Sequence, residues 1–356
     1  MRVLVAPDKF KGTLTAAEVC RHLRAGILAA HPGAEVISHP LADGGEGTLD
    51  VLLSALGGER VVLDATGPLG EARRPEVGKL PDGAIVIESA RVCGLELVPR
   101  PARNPMRTTT YGLGTLLRAV EAWEPTAIVV GLGGSATVDG GLGAARALGF
   151  HLVGEGGRTL DGCGADLANL RAIEPPPHGG NRRASRLTVL CDVDNPMVGA
   201  DGAAEIFAAQ KGASPLEVAA LSRGLRNVAS ILERDLGVAV AALPGGGAAG
   251  GLGAMLRACR GGHLEPGPGA MADWTDLDRR LAGADLVVTG EGAFDASADR
   301  GKVVREVIRR AGCRGVPVVV VCGRWDGSEV PEGVKVIAGG DGVDEEILRA
   351  VGRSVL

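Results

Sequence analysis

Residues 127–143 read AIVVGLGGSATVDGGLG and combine the two signals that indicate the fold. The apolar run Ala127–Val130 shows no polar alternation, which is typical of a strand covered on both faces. The glycine-rich run Gly131–Gly143 follows directly and leads into a helical pattern. A buried strand that turns through glycines into a helix is the repeating unit of a parallel α/β protein.

The same succession of apolar strand, turn and helix recurs along the chain. Further apolar strands are predicted at residues 3–6, 84–88, 187–190, 285–289 and 317–321. Helical patterns fill the intervals, so the sequence predicts an α/β fold with mainly parallel sheet. A length of 356 residues favours about two domains, with weak boundaries near Gly67 and Gly283.

Composition and charge argue against several classes of protein. Hydrophobic residues make up 45% and charged residues 23%, which is typical of a globular protein and not of a disordered one. A net charge of −5, no basic stripe and only 2% aromatic residues argue against nucleic acid as a partner. The 7 scattered cysteines lack Cys-x-x-Cys spacing, so we expect a reduced, cytoplasmic protein without a structural zinc site.

One uncharged stretch, Leu236–Leu256, is long enough to span a bilayer. It contains Pro244 and several glycines, which would leave backbone groups without hydrogen bonds in lipid. We interpret it as a buried strand, a loop and the start of a helix, and we expect no membrane association.

Clusters that combine glycine with acidic, basic or hydroxyl residues follow the predicted strands. They occupy residues 6–13, 40–48, 131–143, 191–212 and 289–302. In an open α/β sheet, ligands bind beyond the carboxyl ends of the strands, so these clusters are candidates for a binding site. Each also has a structural explanation as a turn, a helix cap or a solvated charge.

The residue types in these clusters suit phosphate and a divalent cation. Asp192 and Asp194 follow a buried strand two residues apart, so one can hold Mg²⁺ while the other accepts a proton. Ser135 and Thr137, with the amides of a glycine loop, form a plausible phosphate cradle. Asp43 can hold Mg²⁺, accept from a substrate hydroxyl or cap a helix.

The start of the loop at 131–136 also matches the dinucleotide-binding pattern G-x-G-x-x-G/A. In so glycine-rich a chain this match has little specificity, and residues 245–250 match it as well. The loop also continues through Asp139 before the helix, which is too long for a pyrophosphate turn. The chain has no Walker A sequence and no G-x-S-x-G elbow.

Taken in order, the motifs resemble the bacterial type I glycerate kinase family over essentially the whole chain. They are APDKFKGTLTA (6–16), PLADGGEGT (40–48), VGLGGSATVDGGLG (130–143), CDVDNPMVGADGAA (191–204), QKGA (210–213), PGGGAAGGLG (244–253) and DLVVTGEG (285–292). The resemblance implies transfer of a phosphoryl group from ATP, with Mg²⁺, to D-glycerate, giving 2-phosphoglycerate or 3-phosphoglycerate. It also implies two α/β domains. Residues 1–66 and 283–356 would form a flavodoxin-like, Rossmann-like parallel-sheet domain, residues 67–282 an inserted α/β domain, and the active site would lie in the cleft between them.

The resemblance further implies roles for particular residues. The implied catalytic residues are Asp192, Lys11 and Asp8. The implied substrate-binding residues are Asp43, Glu46, Lys9, Asn195 and Lys211. The implied nucleotide-binding residues are Gly133, Gly134, Ser135, Thr137, Gly246, Gly247, Glu291 and Lys302. The implied metal ligands are Asp194 and Asp295, although which acid is the base and which binds Mg²⁺ is left open.

The chain departs from the family pattern at several of these motifs. The departures are Lys9 for serine, Ser89 for methionine, Thr115 for glutamate, Ala293 for arginine and Ser297 for glutamine. They keep two alternatives open: a kinase for a related small hydroxy acid, and a non-catalytic regulator that binds a nucleotide or a sugar acid. The expected partner is a small-molecule substrate, and the oligomeric state is open, a homo-oligomer included.

Overall fold

The computed structural model describes residues 1–177, 185–295, 302–340 and 344–354. The chain forms two compact units. Unit 1 comprises residues 1–43, 50–55 and 267–356, and unit 2 comprises residues 44–49 and 56–266. Across the described ranges, no helix has the length and apolar character needed to cross a membrane.

The described β-strands are mostly short and lie in two main sheets and two small two-stranded antiparallel sheets. They are β1 (Arg2–Val5), β2 (Glu35–Ser38), β3 (Glu59–Val62), β4 (Ala65–Thr66), β5 (Ala72–Arg73), β6 (Glu76–Lys79), β7 (Ile85–Glu88), β8 (Ala127–Leu132), β9 (His151–Gly154), β10 (Leu170–Glu174), β11 (Arg186–Cys191), β12 (His263–Pro266), β13 (Leu286–Phe294), β14 (Val318–Trp325) and β15 (Val334–Ala338).

The α-helices alternate with these strands along most of the chain. They are α1 (Ala16–Ala30), α2 (Thr48–Leu56), α3 (Ala90–Cys93), α4 (Tyr111–Glu121), α5 (Leu142–Ala147), α6 (Ala203–Phe207), α7 (Pro215–Leu236), α8 (Ala248–Arg260), α9 (Gly267–Trp274), α10 (Leu277–Leu281), α11 (Val303–Gly312) and α12 (Glu345–Ser354).

Unit 1 is a doubly wound, flavodoxin-like domain. Its sheet has the order β15-β14-β13-β1-β2, and its strand pairs are parallel. Alternate residues of β1 face opposite sides, so Val3 and Val5 pack in a core with α1 and α12, whereas Leu4 packs in a core with α11. Helices on both faces explain why the runs 3–5, 286–288 and 318–322 of the central strands are apolar.

The start of α1 shows how local sequence positions an element of unit 1. Thr15 accepts a hydrogen bond from the Glu18 amide, and the Glu18 carboxylate accepts from the Thr15 amide in return. This capping box satisfies two amides that the first turn of a helix leaves without partners. It fixes where α1 begins, immediately after the 6–13 cluster.

Unit 2 contains a second α/β sheet of mixed direction. Its order is β12-β11-β8-β7-β6-β3, with parallel pairing from β12 to β7 and antiparallel pairing from β7 to β3. The parallel strands β7, β8 and β11 are almost fully buried, as the apolar runs predicted. Their carboxyl ends therefore lie side by side at one edge of the sheet.

The α/β fold class predicted from the sequence is confirmed, but local details differ. The two compact units divide at different positions from the predicted boundaries at 66/67 and 282/283. The segment Glu59–Val62 belongs to unit 2 because it pairs with β6, and Gly267–Leu281 belongs to unit 1 because its helices pack beside α11. The predicted strand after Leu236 was wrong: α7 ends there at the left-handed Gly237, and a loop leads to α8.

Candidate active site

The site residues of unit 1 follow the strands β1 and β13. These strands are neighbours in the sheet although most of the chain separates them, so the strand order reverses direction at this point. The amide of Asp8 donates to the Gly290 carbonyl at 2.9 Å, which joins the two strand ends. Such a switch point is where open α/β sheets bind their ligands.

Lys9 forms the central ion pair of this group. Its Nζ lies 3.0 Å from each carboxylate oxygen of Asp43 and 3.7 Å from Oδ1 of Asp8. Asp8 is buried, whereas Lys9 and Asp43 are partly buried. The two acids predicted for different roles thus share one ammonium group.

Two carboxyl groups in unit 1 have strongly raised pKa values. Burial, reinforced by the charge of Asp43, raises the pKa of Asp8 to about 7, although Lys9 opposes the shift. Burial also raises the pKa of Glu291 to about 7, against the attraction of Lys302. Buried groups with shifted pKa values cluster at functional sites, so both acids are candidates for chemistry or ligand binding.

Glu291 has an unused hydrogen-bonding atom. Its Oε2 lies 3.8 Å from the Nζ of Lys302, but its buried Oε1 has no hydrogen-bond partner in the described part of the chain. A buried oxygen without a partner costs free energy, which a bound donor or cation would recover.

Lys11 is exposed and lies near the end of β13. A Cβ added to Gly292 would lie 3.6 Å from the backbone nitrogen of Lys11.

The end of β13 carries two of the remaining positions. Asp295 lies directly after the strand, and its carbonyl accepts from Arg305 at 3.5 Å. Ala293 is exposed and offers no charge where the family pattern has arginine. Ser297 lies outside the described residues.

The site residues of unit 2 meet at the carboxyl edge of its sheet. Glycine is required at positions 131 and 133. A Cβ on Gly131 would collide with the Gly44 carbonyl, and a Cβ on Gly133 would lie 2.7 Å from the Cα of Gly45. A Cβ on Gly133 would also lie 3.3 Å from Oδ2 of Asp192. The glycine loop, the segment starting at Gly44 and the Asp192 carboxylate are therefore immediate neighbours.

Lys211 reaches the same edge from the short 3₁₀ helix after α6. Its buried Nζ donates to Ser135 Oγ at 2.9 Å and to the Thr137 carbonyl at 2.8 Å. Burial lowers the pKa of Lys211 to about 8, while Asp192 and Asp139 favour its charged form. Lys211, implied as a substrate-binding residue, is thus bonded to the glycine loop.

Asp139 was not selected from the sequence, although it lies inside the glycine loop. It is fully buried and accepts from the Thr110 amide at 2.7 Å, the Thr110 hydroxyl at 2.8 Å, the Gly141 amide at 3.0 Å and the Gly143 amide at 3.3 Å. Burial raises its pKa despite these bonds. An acid followed by two glycines at a helix start was the signal that could have identified it.

Glu88 was also missed, because a single acid at a strand end has no distinctive spacing. Its buried carboxylate accepts from the Leu49 amide and from Arg91 Nε, both at 2.8 Å. It therefore caps the first turn of α2 and holds the 44–49 segment to the end of β7. Glu46, on this segment, is exposed, as a substrate contact requires.

Other predicted nucleotide ligands already have partners within the protein. The amides of Gly246 and Gly247 donate to the carbonyls of Leu243 and Asn195. The Thr137 hydroxyl donates to the Ala249 carbonyl at 3.3 Å. These hydrogen bonds join the glycine loop 131–143 and the segment 244–250 to the rest of unit 2. Gly134, in contrast, is exposed, and its amide donates to no carbonyl among the described residues.

The part of the chain that the structure describes does not form a closed metal cage. Among the described residues, no three His, Cys, Asp or Glu side chains are arranged to hold a metal ion. Asp194 is exposed beside Asp192 in unit 2, whereas Asp295 belongs to unit 1. One or two carboxylates still fit Mg²⁺, which commonly completes its coordination with water and substrate phosphates.

Comparison with known proteins identifies the family. The model of the glycerate kinase family matches residues 3–341. The chain belongs to the glycerate kinase family. A glycerate kinase of Halalkalibacterium halodurans is 41% identical over 322 residues, covering 90% of this chain and 85% of the relative. A glycerate 2-kinase of Escherichia coli is 38% identical over 325 residues, covering 91% and 85%.

A solved structure agrees with this membership. A protein assigned as glycerate kinase 2 from Salmonella typhimurium LT2 is 37% identical, with a TM-score of 0.83 over 100% of this chain and 97% of that chain. At this identity the likeness extends beyond fold class. The glycerate kinase family member described here is therefore an enzyme, a kinase, with the two α/β sheets predicted from its sequence.

Proposed function

We propose that this kinase phosphorylates D-glycerate with ATP, at the 2-hydroxyl to give 2-phosphoglycerate or else at the 3-hydroxyl. The observation that carries the proposal is the position of Asp192 against the glycine loop. This loop contains Ser135, which accepts a hydrogen bond from Lys211. A proton acceptor, a hydroxyl donor and a buried cation at one sheet edge meet the needs of phosphoryl transfer.

In the proposed reaction, the carboxylate of Asp192 accepts the proton of the substrate hydroxyl. The hydroxyl oxygen bonds to the γ-phosphorus of ATP, the bond from that phosphorus to the β–γ bridging oxygen breaks, and ADP leaves with the bond's electron pair. Gly134 and Ser135 offer an amide and a hydroxyl to phosphoryl oxygens, and Lys211 adds positive charge. Such donors stabilise negative charge that develops during transfer.

A magnesium ion would complete the phosphate side of the site. Asp194 is the unit 2 carboxylate that we propose as its ligand, with Asp295 as the candidate in unit 1. When bound, Mg²⁺ would neutralise charge on the phosphates and orient them.

The acids and lysines of unit 1 receive the remaining roles in the proposal. Lys11 and Lys302 would contact phosphate or carboxylate oxygens, and the unused Oε1 of Glu291 would accept from the nucleotide. As the resemblance implies, Asp8 stays a candidate catalytic residue. Asp43 and Lys9, together with Glu46 and Asn195 of unit 2, stay candidates for binding the acceptor. That residues of both units serve one reaction stays a prediction from the sequence, as does the cytoplasmic location.

A related hydroxy acid is a second candidate acceptor because of one observed contact. Lys9, which replaces the family's serine, neutralises Asp43 through both of its oxygens. A neutralised acid accepts a substrate hydroxyl less strongly than a free one, which changes the match to the acceptor.

The test is an assay of ATP consumption with Mg²⁺ and a panel of small hydroxy acids, with the product identified by NMR. We expect turnover of D-glycerate, and the phosphorylated carbon decides between the two products. Activity only on another acid would support the second candidate. ATP binding without turnover of any acid would overturn the proposal and favour a binding protein.

The role of Asp192 is tested separately by Asp192→Asn. We expect kcat to fall by about 10²- to 10⁴-fold while ATP affinity changes little, because the amide cannot accept the proton. Asp201→Asn is the matched control, since Asp201 is exposed on the same segment. Unchanged kcat in Asp192→Asn would remove it as the base.

A further inference from the structure

The contact between Lys211 and Ser135 has a fixed direction. A lysine ammonium has only donors, so the Ser135 oxygen must be the acceptor in their 2.9 Å hydrogen bond. The serine therefore keeps its own proton for another partner. Within the described ranges of the chain, that hydroxyl donates to no acceptor, whereas the Thr137 hydroxyl donates to the Ala249 carbonyl.

Lys211 itself is held away from solvent. Its side chain is buried, and its second bond, to the Thr137 carbonyl, ties it to the loop that carries Ser135. The next residue, Gly212, has φ +98°, and a Cβ there would collide with the Arg103 carbonyl. Glycine is therefore required directly after the lysine whose ammonium reaches the loop.

We propose that Lys211 is a positioning residue, which holds Ser135 so that the serine hydroxyl donates to a phosphoryl oxygen of the nucleotide. Lys211 then acts on the nucleotide through Ser135 and makes no direct contact with it. This inference rests on the proposed function and replaces a direct substrate contact by Lys211.

The charges around Lys211 agree with this arrangement. Asp192 follows β11, Asp139 lies in the glycine loop and Cys93 ends α3, and these three groups act electrostatically on the ammonium. Burial raises the pKa of the Cys93 thiol, so it stays neutral, and the two carboxylates favour the charged lysine. A charged lysine preserves the direction of the bond to Ser135, whereas a neutral amine could accept the serine proton and reverse it.

A double-mutant cycle separates positioning from direct contact. The variants are Ser135→Ala, Lys211→Met and the double variant, with Lys335→Met as an exposed-lysine control that leaves binding unchanged. The readouts are the Kd of a non-hydrolysable ATP analogue with Mg²⁺ and kcat/KM for ATP. We expect each single variant to lose about 10- to 100-fold and the double variant to lose no more than the larger single loss.

Several results would overturn the inference. Losses that multiply in the double variant would show that Lys211 acts independently of Ser135. Wild-type affinity in Ser135→Ala would show that its hydroxyl makes no contact with the nucleotide. Ser135→Thr keeps the hydroxyl and should retain binding within about threefold; if Lys211→Met does not fold, this comparison with Ser135→Ala still decides the hydroxyl's role.

Failure of the proposed function gives a different result. If the wild-type enzyme does not bind the ATP analogue, the proposed function and the inference both fail. If the wild-type enzyme binds the analogue and phosphorylates D-glycerate, but the losses of the two single variants multiply in the double variant, the inference alone fails.

Discussion

Asp139 is a single buried carboxylate on which the conformation of the phosphate-side loop depends. Its two oxygens accept four hydrogen bonds from Thr110, Gly141 and Gly143. We expect Asp139→Asn to lower the free energy of unfolding by about 1–3 kcal/mol, because one amide hydrogen would face a donor. Denaturant unfolding measures this change. Asp161→Asn is the exposed control, and equal stability of the two variants would contradict the assigned role.

Lys9 is the residue that most directly alters the charge of a predicted acceptor ligand. Lys9→Ser removes the ammonium from Asp43 and restores the residue typical of the family. We expect the ratio of kcat/KM for D-glycerate to that for other hydroxy acids to rise, by about tenfold if one charged hydrogen bond is involved. Competition assays with mixed acceptors measure the ratio. An unchanged ratio would mean that Lys9 does not influence acceptor choice.

At the scale of elements, the close approach of β8 to the 44–49 segment depends on glycine. Gly131→Ala would place a methyl group against the Gly44 carbonyl and push away the segment that carries Glu46. We expect turnover to fall at least about tenfold, since misplacement by about 1 Å can cost 10²-fold. Steady-state kinetics measures the loss.

Gly33→Ala is the control for this substitution. Apart from Gly33 and its chain neighbours, no heavy atom of the described residues lies within 4 Å of a Cβ built at Gly33, so that variant should keep wild-type turnover. If Gly131→Ala were as active as Gly33→Ala, the packing of the segment on β8 would not be required for catalysis.

For the whole molecule, the buried acids predict how stability depends on pH. Asp8 and Glu291, each with a pKa raised to about 7, hold protons in the folded state that the unfolded chain has already released. The free energy of unfolding should therefore fall as pH rises from about 5 to about 7. His39, whose pKa burial lowers to about 4, opposes this trend below its ordinary value of 6.5.

Thermal unfolding without ligands, measured from pH 5 to pH 8, tests this balance. Two acids oppose one histidine, so we expect Tm to decrease with pH, most steeply around pH 6 to 6.5 and only weakly above about pH 7.5. Asp8→Asn removes one of the two acids and should flatten the decrease. The same slope in wild type and Asp8→Asn would show that Asp8 is not buried as a carboxyl group.

The sequence alone determined the fold class and the positions of the strand-end clusters. Runs such as residues 85–87 and 127–132 are apolar because both of their faces are covered, and that requirement is visible in the residues themselves. The family resemblance rests on long motifs in a fixed order, and it is confirmed by relatives that cover most of the chain.

Only the tertiary structure decided which groups in those motifs have protein partners. The amides of Gly246 and Gly247 donate to carbonyls of the protein, Asp139 and Glu88 hold loops in place, and Lys211 donates to Ser135. Hydrogen-bond partners that lie 29 to 76 residues away leave no periodic pattern in the sequence, because they depend on where loops from different strands meet.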